Sequence, residues 1–196
     1  MQVDGYEFDK LLGQGGMGVV FAAHDIVSKK KVAIKVLNAS SSFSDKELLG
    51  RFKREVKACS SLSHPNVVPY LADGVTEDGS PFLVMEYVEG QTLQEIISNR
   101  GPLGKEQWLE VAQDLAEALA HCHNKGLVHR DIKPGNILIS KEGRAILIDF
   151  GLVQADAMTR LTATGMRMGT VECMAPEQLM GKATDRRTDI YALGIT

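Results

Sequence analysis

The most informative stretch of this sequence is VHRDIKPGNILI, residues 128–139. An acid, two strong cations, a histidine and an amide are crowded between apolar residues, and such polar groups are costly to bury without partners. Asp131 can accept a proton from a hydroxyl group or orient that group. Lys133 can neutralise charge on a phosphoryl group, and the amide oxygen of Asn136 suits a hard cation such as Mg²⁺. The stretch therefore predicts a chemical site in a short loop that precedes a strand.

A second carboxylate follows in IDFG, residues 148–151, where Asp149 stands at the end of another strand pattern. Asp149 and Asn136 can share a metal ion that bridges phosphate groups. Phosphoryl transfer needs a charge clamp, a metal ion and a positioned nucleophile. The two stretches together contain residue types suited to these three tasks.

A glycine-rich segment near the start of the chain, GQGGMGVV at residues 13–20, has the pattern G-x-G-x-x-G-x-V. Glycines let a backbone bend tightly and approach a phosphate closely. A dinucleotide-binding turn would open a helix and place an acid about 20 residues further on. Here strand-like sequence and the motif VAIK, residues 32–35, follow instead. A plain glycine-rich hairpin is the structural alternative.

Lys35 lies within an apolar strand pattern, where a lysine needs an anionic partner. Glu55, on a helix predicted at 45–61, is the best candidate for that partner. The alternative for Glu55 is a solvated helix face shared with neighbouring basic residues: Arg51, Lys53, Arg54 and Lys57.

The two halves of the chain differ in pattern. Residues 1–88 are predicted to form mainly strands and residues 89–196 mainly helices, with a hinge at 89–91. Strands are predicted at 6–12, 19–23, 31–37, 67–71, 82–87, 137–140 and 145–148. A second long helix is predicted from the apolar stripe of Trp108, Val111, Ala112, Leu115, Ala118, Leu119 and Cys122.

The composition argues against several classes of protein. The chain has 196 residues, 44% of them hydrophobic and 24% charged, as in ordinary globular domains. A net charge of −3 lacks the basic excess typical of nucleic-acid-binding proteins, so no nucleic-acid partner is expected. No apolar run approaches the roughly 20 residues of a membrane span, and the N-terminus lacks a secretion signal. Three scattered cysteines, Cys59, Cys122 and Cys173, favour a reducing, cytoplasmic location.

The motifs GQGGMG, VAIK, Glu55, HRDIKPGN, DFG and APE follow one another in the order that protein kinases carry them. On these motifs the chain resembles a protein kinase from about Tyr6 onward, and GGMGVVFAAHD and PFLVMEYVEGQTL most resemble bacterial Ser/Thr kinases of the Pkn type. The resemblance implies an α+β, protein-kinase-like bilobal fold. A β-rich N-lobe with one helix is expected at 1–88 and a mainly α C-lobe at 89–196. The C-lobe is expected to be incomplete, because the family's remaining helices and the arginine that pairs with Glu177 do not appear before Thr196.

The resemblance also implies an ATP site. The glycine-rich loop would cover the phosphates with Gly13, Gln14, Gly15, Gly16, Met17 and Gly18. Lys35, paired with Glu55, would hold the α- and β-phosphates. The adenine ring would be enclosed by Val20, Ala33 and Leu138, by Met85 as gatekeeper, and by the backbone of Glu86 and Val88.

Catalytic roles are implied by the same resemblance. Asp131 would be the catalytic base with Lys133 beside it, and Asn136 and Asp149 would bind Mg²⁺, or Mn²⁺ in its place. Lys133 stands two positions after Asp131, which is typical of Ser/Thr kinases. The expected substrates are therefore ATP and protein Ser or Thr hydroxyl groups.

Regulation is expected at a loop spanning about residues 152–174. Arg130 beside the catalytic acid can pair with a phosphate on that loop. Trans-autophosphorylation at Thr162 or Thr164, within a homodimer, is the hypothesis, with Thr159 less favoured. Asp189 is expected to brace the HRD backbone. Relatives of this type often carry a membrane anchor downstream, although this chain shows no membrane segment.

Two alternatives to an active protein kinase remain open. One is a truncated kinase-like module that binds nucleotide or a partner without turnover. The other is a small-molecule phosphotransferase, against which APE and the GT segment at 169–170 argue because they serve a peptide-substrate platform.

Overall fold

The computed structural model describes residues 3–15, 18–37, 46–150 and 172–196. The chain divides into two compact units. The first comprises Met1–Ser61 and Pro69–Tyr87, and the second comprises Leu62–Val68 and Val88–Thr196. The predictions for Gly16 and Met17, and those for the threonines of the regulatory loop, fall outside the described residues.

An antiparallel sheet dominates the first unit. Its strands are β1 (Tyr6–Gly15), β2 (Gly18–Asp25), β3 (Lys31–Leu37), β4 (Tyr70–Val75) and β5 (Pro81–Glu86), in the order β1-β2-β3-β5-β4. Alternate residues of a strand point to the same face, so one face buries a cluster of Ala23, Val32, Ile34, Val36 and Val84. The helix α1 (Lys46–Cys59) follows β3 along the chain.

The predicted helix at 45–61 and most predicted strands of this unit are confirmed, but the strand predicted at 67–71 is displaced: β4 begins only at Tyr70 and runs to Val75. The N–H of Val68 donates to the carbonyl of Leu147, and the N–H of Leu147 donates to the carbonyl of Asn66, each at 2.9 Å. This backbone therefore pairs inside the second unit. Pro69, which has no N–H to donate, separates it from β4.

Short strands and helices build the second unit. Its sheet has the order β6 (Gly90–Thr92), β7 (Ile137–Ser140), β8 (Ala145–Leu147). Its helices are α2 (Leu93–Arg100), α3 (Lys105–Asn124), α4 (Pro176–Leu179) and α5 (Arg186–Ile195), and a 3-10 turn at Pro134–Asn136 leads into β7. In the part of the chain that the structure describes, no helix is both long enough and apolar enough to pass through a bilayer.

The residues predicted as a hinge, 89–91, lie mostly in β6. Gly90 approaches β7 so closely that a Cβ atom there would stand 2.2 Å from the carbonyl oxygen of Ile139. Thr92 then starts α2 with a capping box. Its Oγ1 accepts from the N–H of Glu95 at 3.2 Å, and the Glu95 carboxylate accepts from the N–H of Thr92 at 2.8 Å.

The predicted apolar stripe of α3 faces the interior of the second unit. Its buried members are Val111, Leu115, Ala118, Leu119 and Cys122, whereas Trp108 and Ala112 are only half-buried. The helix ends before Gly126, whose φ of 75° suits a glycine. The chain then enters the loop that carries the polar residues of 128–139.

Candidate active site

The loop between α3 and β7 curls so that its polar side chains converge on Asp131. The Nζ of Lys133 donates to Asp131 Oδ2 at 2.8 Å. The Nδ2 of Asn136 donates to the same oxygen and to the backbone carbonyl of Asp131, both at 2.8 Å. The 3-10 turn that closes on Lys133 brings Asn136 into reach. Asp131 and Asn136 are thus buried together as hydrogen-bonded partners.

This arrangement fixes the direction of the Asp131 carboxylate. Its side chain is only 7% exposed, and one of its two donors is cationic. Hydrogen bonds to ionised groups are stronger and shorter than those between neutral groups. A carboxylate held in this way can orient a hydroxyl group and accept its proton.

Asn136 and Asp149 lie on adjoining pieces of backbone. The N–H of Ile148 donates to the backbone carbonyl of Asn136 at 3.0 Å, and Asp149 is the next residue. Asp149 has a φ of 62°, a conformation that costs energy for a residue other than glycine and that clusters at functional sites. Because the Asn136 amide nitrogen serves Asp131, its oxygen is the atom suited to a hard cation.

The metal-binding prediction can be weighed by the chemistry of these donors. In the described stretches no three or more His, Cys, Asp or Glu side chains gather into a metal-binding group. Asn136 and Asp149 offer oxygen ligands, which hard divalent cations prefer. Such a cation would complete its coordination with oxygen atoms of phosphate or water, as Mg²⁺ commonly does. The donor set fits the predicted metal.

Asp189 braces the backbone that precedes Asp131. Its carboxylate is fully buried and accepts the N–H of His129 and the N–H of Arg130, each at 2.8 Å. The predicted brace is confirmed by these bonds. His123 adds a third contact, with Nε2 2.7 Å from Asp189 Oδ2. Sequence reasoning missed His123, although its place in the last turn of α3, eight residues before Asp131, was the available signal.

His129 fills the interior behind the loop that carries Asp131. Complete burial lowers the pKa of its imidazole, and the negative charges of Asp189, Asp131 and Asp149 only partly oppose this effect. Its ring packs against Phe150 with centroids 4.5 Å apart. Nδ1 accepts from the N–H of Asp131 at 3.3 Å, so a neutral ring carries its proton on Nε2.

Glu177 on α4 has a partner in this chain. The sequence left it without the expected arginine, but the hydroxyl of Thr188 on α5 donates to its Oε1 at 2.6 Å. That hydrogen bond lowers the pKa of the Glu177 carboxyl. The expectation of an unpaired carboxylate is therefore wrong, because a neighbouring hydroxyl takes the place of the cation.

One face of the first unit's sheet carries several predicted nucleotide-binding residues. Directly opposed residues of antiparallel strands point to the same face. Val20 is opposite Lys35, and Ala33 is opposite Met85. These residues alternate with the buried apolar cluster and so lie on the other face of the sheet. Glu86 also belongs to this unit, at the end of β5, whereas Val88 and Leu138 belong to the second unit.

The remaining predicted residues of the first unit are placed as follows. Lys35 on β3 is buried, and Glu55 lies on α1; their pairing stays a prediction. Gly13, Gln14 and Gly15 end β1, with Gly15 paired to Gly18 across the hairpin. A Cβ on Gly18 would stand 2.2 Å from the carbonyl oxygen of Val36. Close packing on β3 is thus one reason for glycine there, beside the predicted approach of a phosphate.

Comparisons with known proteins agree with this geometry. The family profile described as "Protein kinase domain" matches residues 6–196. The chain is 43% identical over 190 residues to "Serine/threonine-protein kinase PrkC" of Bacillus subtilis (strain 168), covering 97% of this chain and 29% of that protein. It is 40% identical over 195 residues to "Serine/threonine-protein kinase PknB" of Mycobacterium leprae (strain TN), covering 97% and 31%.

A third relative extends the range of organisms. The chain is 39% identical over 198 residues to "Serine/threonine-protein kinase pkn3" of Myxococcus xanthus, covering 97% of this chain and 36% of that protein. The chain thus spans about a third of the length of the curated relatives it matches. These matches confirm the predicted resemblance and fold class.

Proposed function

Since this chain belongs to the protein kinase domain family, we propose that it phosphorylates Ser and Thr hydroxyl groups of proteins with ATP as the phosphoryl donor. The observation that carries the proposal is the convergence of Lys133 and Asn136 on the buried carboxylate of Asp131. The names of the relatives support the substrate class.

Asp131 is the residue proposed to handle the acceptor hydroxyl. The hydroxyl oxygen attacks the terminal phosphorus of ATP, the bond from that phosphorus to the bridging oxygen breaks, and ADP leaves. The hydroxyl proton passes to Asp131, whose carboxylate is already oriented by its two donors. Lys133, whose side chain is 24% exposed, supplies positive charge beside the transferring group.

A divalent cation is proposed at Asn136 and Asp149, with Mg²⁺ favoured over Mn²⁺. When bound, it would supply positive charge beside the phosphate groups of the nucleotide. Asn136 holds its amide oxygen in place because its nitrogen is fixed on Asp131. Asp149 offers a carboxylate from a strained backbone position.

The nucleotide-binding residues are proposed on the basis of the family's motifs. Lys35 would hold the α- and β-phosphates with Glu55 as its partner, beneath the glycine-rich loop from Gly13 to Gly18. The adenine would be enclosed by Val20, Ala33, Met85, Glu86, Val88 and Leu138. The common sheet face of Val20, Ala33, Lys35 and Met85 supports this assignment for the first unit.

Regulation and partners are proposed on the same family basis. Trans-autophosphorylation of Thr162 or Thr164 within a homodimer would place a phosphate for Arg130 to bind. Intact-mass and peptide mapping after incubation with ATP tests this, and an unmodified loop in an active enzyme would refute it. A cytoplasmic location is proposed because the substrate is ATP and because Cys59, Cys122 and Cys173 are free thiols.

The activity is tested with labelled ATP, Mg²⁺ and a generic basic protein. Asp131→Asn keeps the side-chain shape and should lower transfer by about 10²- to 10⁴-fold. Nucleotide binding, followed separately by thermal shift, should survive in the variant. Nucleotide binding without transfer in either protein would instead identify a binding module that lacks turnover. Transfer that does not depend on Asp131 would overturn the assignment of the base.

A further inference from the structure

Gln178 is a buried polar residue to which the proposed reaction assigns no role. It lies on α4 and is only 2% exposed. Its Nε2 donates to the backbone carbonyl of Arg130 at 2.9 Å, across 48 positions of sequence. Its Oε1 accepts from the N–H of Ala175 at 3.1 Å. The side chain thus connects the start of α4 to the peptide group that joins Arg130 to Asp131.

That peptide group is held in an unfavourable conformation. Arg130 has a φ of 68°, a left-handed value that residues with a Cβ avoid. Such a conformation persists only where the surroundings determine it from several sides. Asp189 holds the N–H of Arg130 at 2.8 Å, and Gln178 holds its carbonyl. The two buried side chains therefore fix Arg130 from opposite ends.

The orientation of this peptide bears directly on Asp131. A peptide group is planar, so rotating the Arg130 carbonyl also rotates the N–H of Asp131. That N–H donates to His129 Nδ1 at 3.3 Å, which is a long hydrogen bond. The shorter bond from Gln178 is thus the stronger restraint on this plane. Freed from it, the backbone that carries the Asp131 carboxylate could turn toward a more relaxed conformation.

We propose that Gln178 is a positioning residue for Asp131: its amide holds the Arg130–Asp131 peptide and thereby sets the direction of the Asp131 carboxylate. The proposal rests on the proposed function, in which that carboxylate orients the acceptor hydroxyl. Gln178 touches no reacting atom and acts through the backbone. Because it also holds Ala175, it makes the geometry of Asp131 depend on how α4 is docked.

A matched pair of variants in the full chain separates this role from simple docking of α4. Gln178→Leu removes the amide at similar volume. Thr188→Val removes the neighbouring bond to Glu177, which also anchors α4 but does not touch the catalytic loop. Gln178→Leu should lower kcat about 10- to 100-fold with KM for ATP unchanged, as a misplaced catalytic group does. Thr188→Val should keep kcat within about twofold of wild type.

A second readout does not need activity. In Gln178→Leu, hydrogen exchange of the Asp131 amide should accelerate about tenfold, the factor that corresponds to losing one ordinary hydrogen bond. In Thr188→Val it should not change. Unchanged exchange in Gln178→Leu, unchanged kcat, or an equal loss of kcat in Thr188→Val would each overturn the proposal. An inactive wild type would defeat the proposed function, while the exchange measurement would still judge Gln178.

Gln178→Glu covers the case in which Gln178→Leu does not fold. It keeps the shape and the oxygen that accepts from Ala175. A protonated carboxyl can still donate to the Arg130 carbonyl, whereas an ionised one cannot. The ratio of kcat in this variant to kcat in wild type should therefore fall as pH rises. A ratio that stays constant with pH would contradict the positioning role.

Discussion

The carboxylate of Asp189 accepts the backbone N–H of Arg130 at 2.8 Å, although the two residues are 59 positions apart in the sequence. The same carboxylate accepts the N–H of His129 and contacts His123. A residue of α5 thereby fixes the backbone of a loop that lies about 60 positions earlier in the sequence. The loop that carries Asp131 consequently depends on long-range contacts as well as on its own local hydrogen bonds.

Asp189→Asn should destabilise the fold. The new amide group would present an N–H to one of the two backbone N–H donors, which would leave a buried donor unpaired. We expect a loss of about 3 kcal/mol in the free energy of unfolding, measured by denaturant titration. The control is Asp9→Asn, which removes an exposed ion pair with Lys31 and should change stability by less than about 0.5 kcal/mol. Equal effects of the two substitutions would contradict the brace.

Lys133→Met should slow phosphoryl transfer while leaving the fold intact. The variant keeps the length of the side chain but removes the cation bonded to Asp131 at 2.8 Å. We expect a fall in kcat of roughly 100-fold, measured by steady-state kinetics. Lys141→Met is the matched control, because Lys141 pairs with Glu89 at the surface, and it should keep kcat within about twofold. A full rate in Lys133→Met would remove Lys133 from the proposed machinery.

Gly90→Ala should disturb the small sheet of the second unit. A Cβ there would stand 2.2 Å from the Ile139 carbonyl oxygen, so β6 and β7 would have to separate. We expect a loss of about 2 kcal/mol in the free energy of unfolding. Gly194→Ala in α5 meets no atom within 4 Å and should be neutral or stabilising, because alanine favours a helix. The two variants are compared by thermal unfolding. A loss of stability of similar size in both would show that the close approach of Gly90 to β7 does not matter.

His129 should remain neutral at pH 6.5, where an ordinary histidine is half protonated. Burial lowers its pKa in the folded state, so the folded protein binds this proton less readily than the unfolded chain does. The stability contributed by neutral His129 is accordingly present above pH 6.5 and is lost as the pH falls below that value. Nitrogen-15 NMR of the imidazole tests the charge, and an imidazolium signal at pH 6.5 would refute it.

Local sequence patterns predicted much of this fold because they reflect local physics. The alternation of apolar residues in 31–37 and the apolar stripe of α3 that ends at Cys122 each reflect a single element that packs one face on the interior of its unit. The run 67–71 misled, because its apolar residues belong to two different units on either side of Pro69. A local sequence pattern could not reveal that the backbone of Asn66 and Val68 pairs with Leu147, because the two segments lie far apart in the sequence.

The site shows the same division between local and long-range information. The loop motif pointed to Asp131, Lys133 and Asn136, and the structure brings these side chains together through bonds that span no more than five positions. The contacts of Gln178 and His123 were not predicted, since each acts on a backbone group or carboxylate far along the chain. The catalytic and nucleotide-binding roles of the named residues stay predictions that the experiments above address.

The segment Leu62–Val68 interrupts the first unit and joins the second. During synthesis it leaves the ribosome long before its partners: Asn66 donates through its side chain to Ala145, 79 positions later. At the usual rate of about 5–20 residues per second, the polar groups of Asn66 and Val68 remain in water for several seconds before these partners are made. A fragment of residues 1–88 would contain Leu62–Val68 without the strand that its backbone pairs with. A stable fragment of the first unit would therefore have to omit this segment and join Ser61 to Pro69 by a linker.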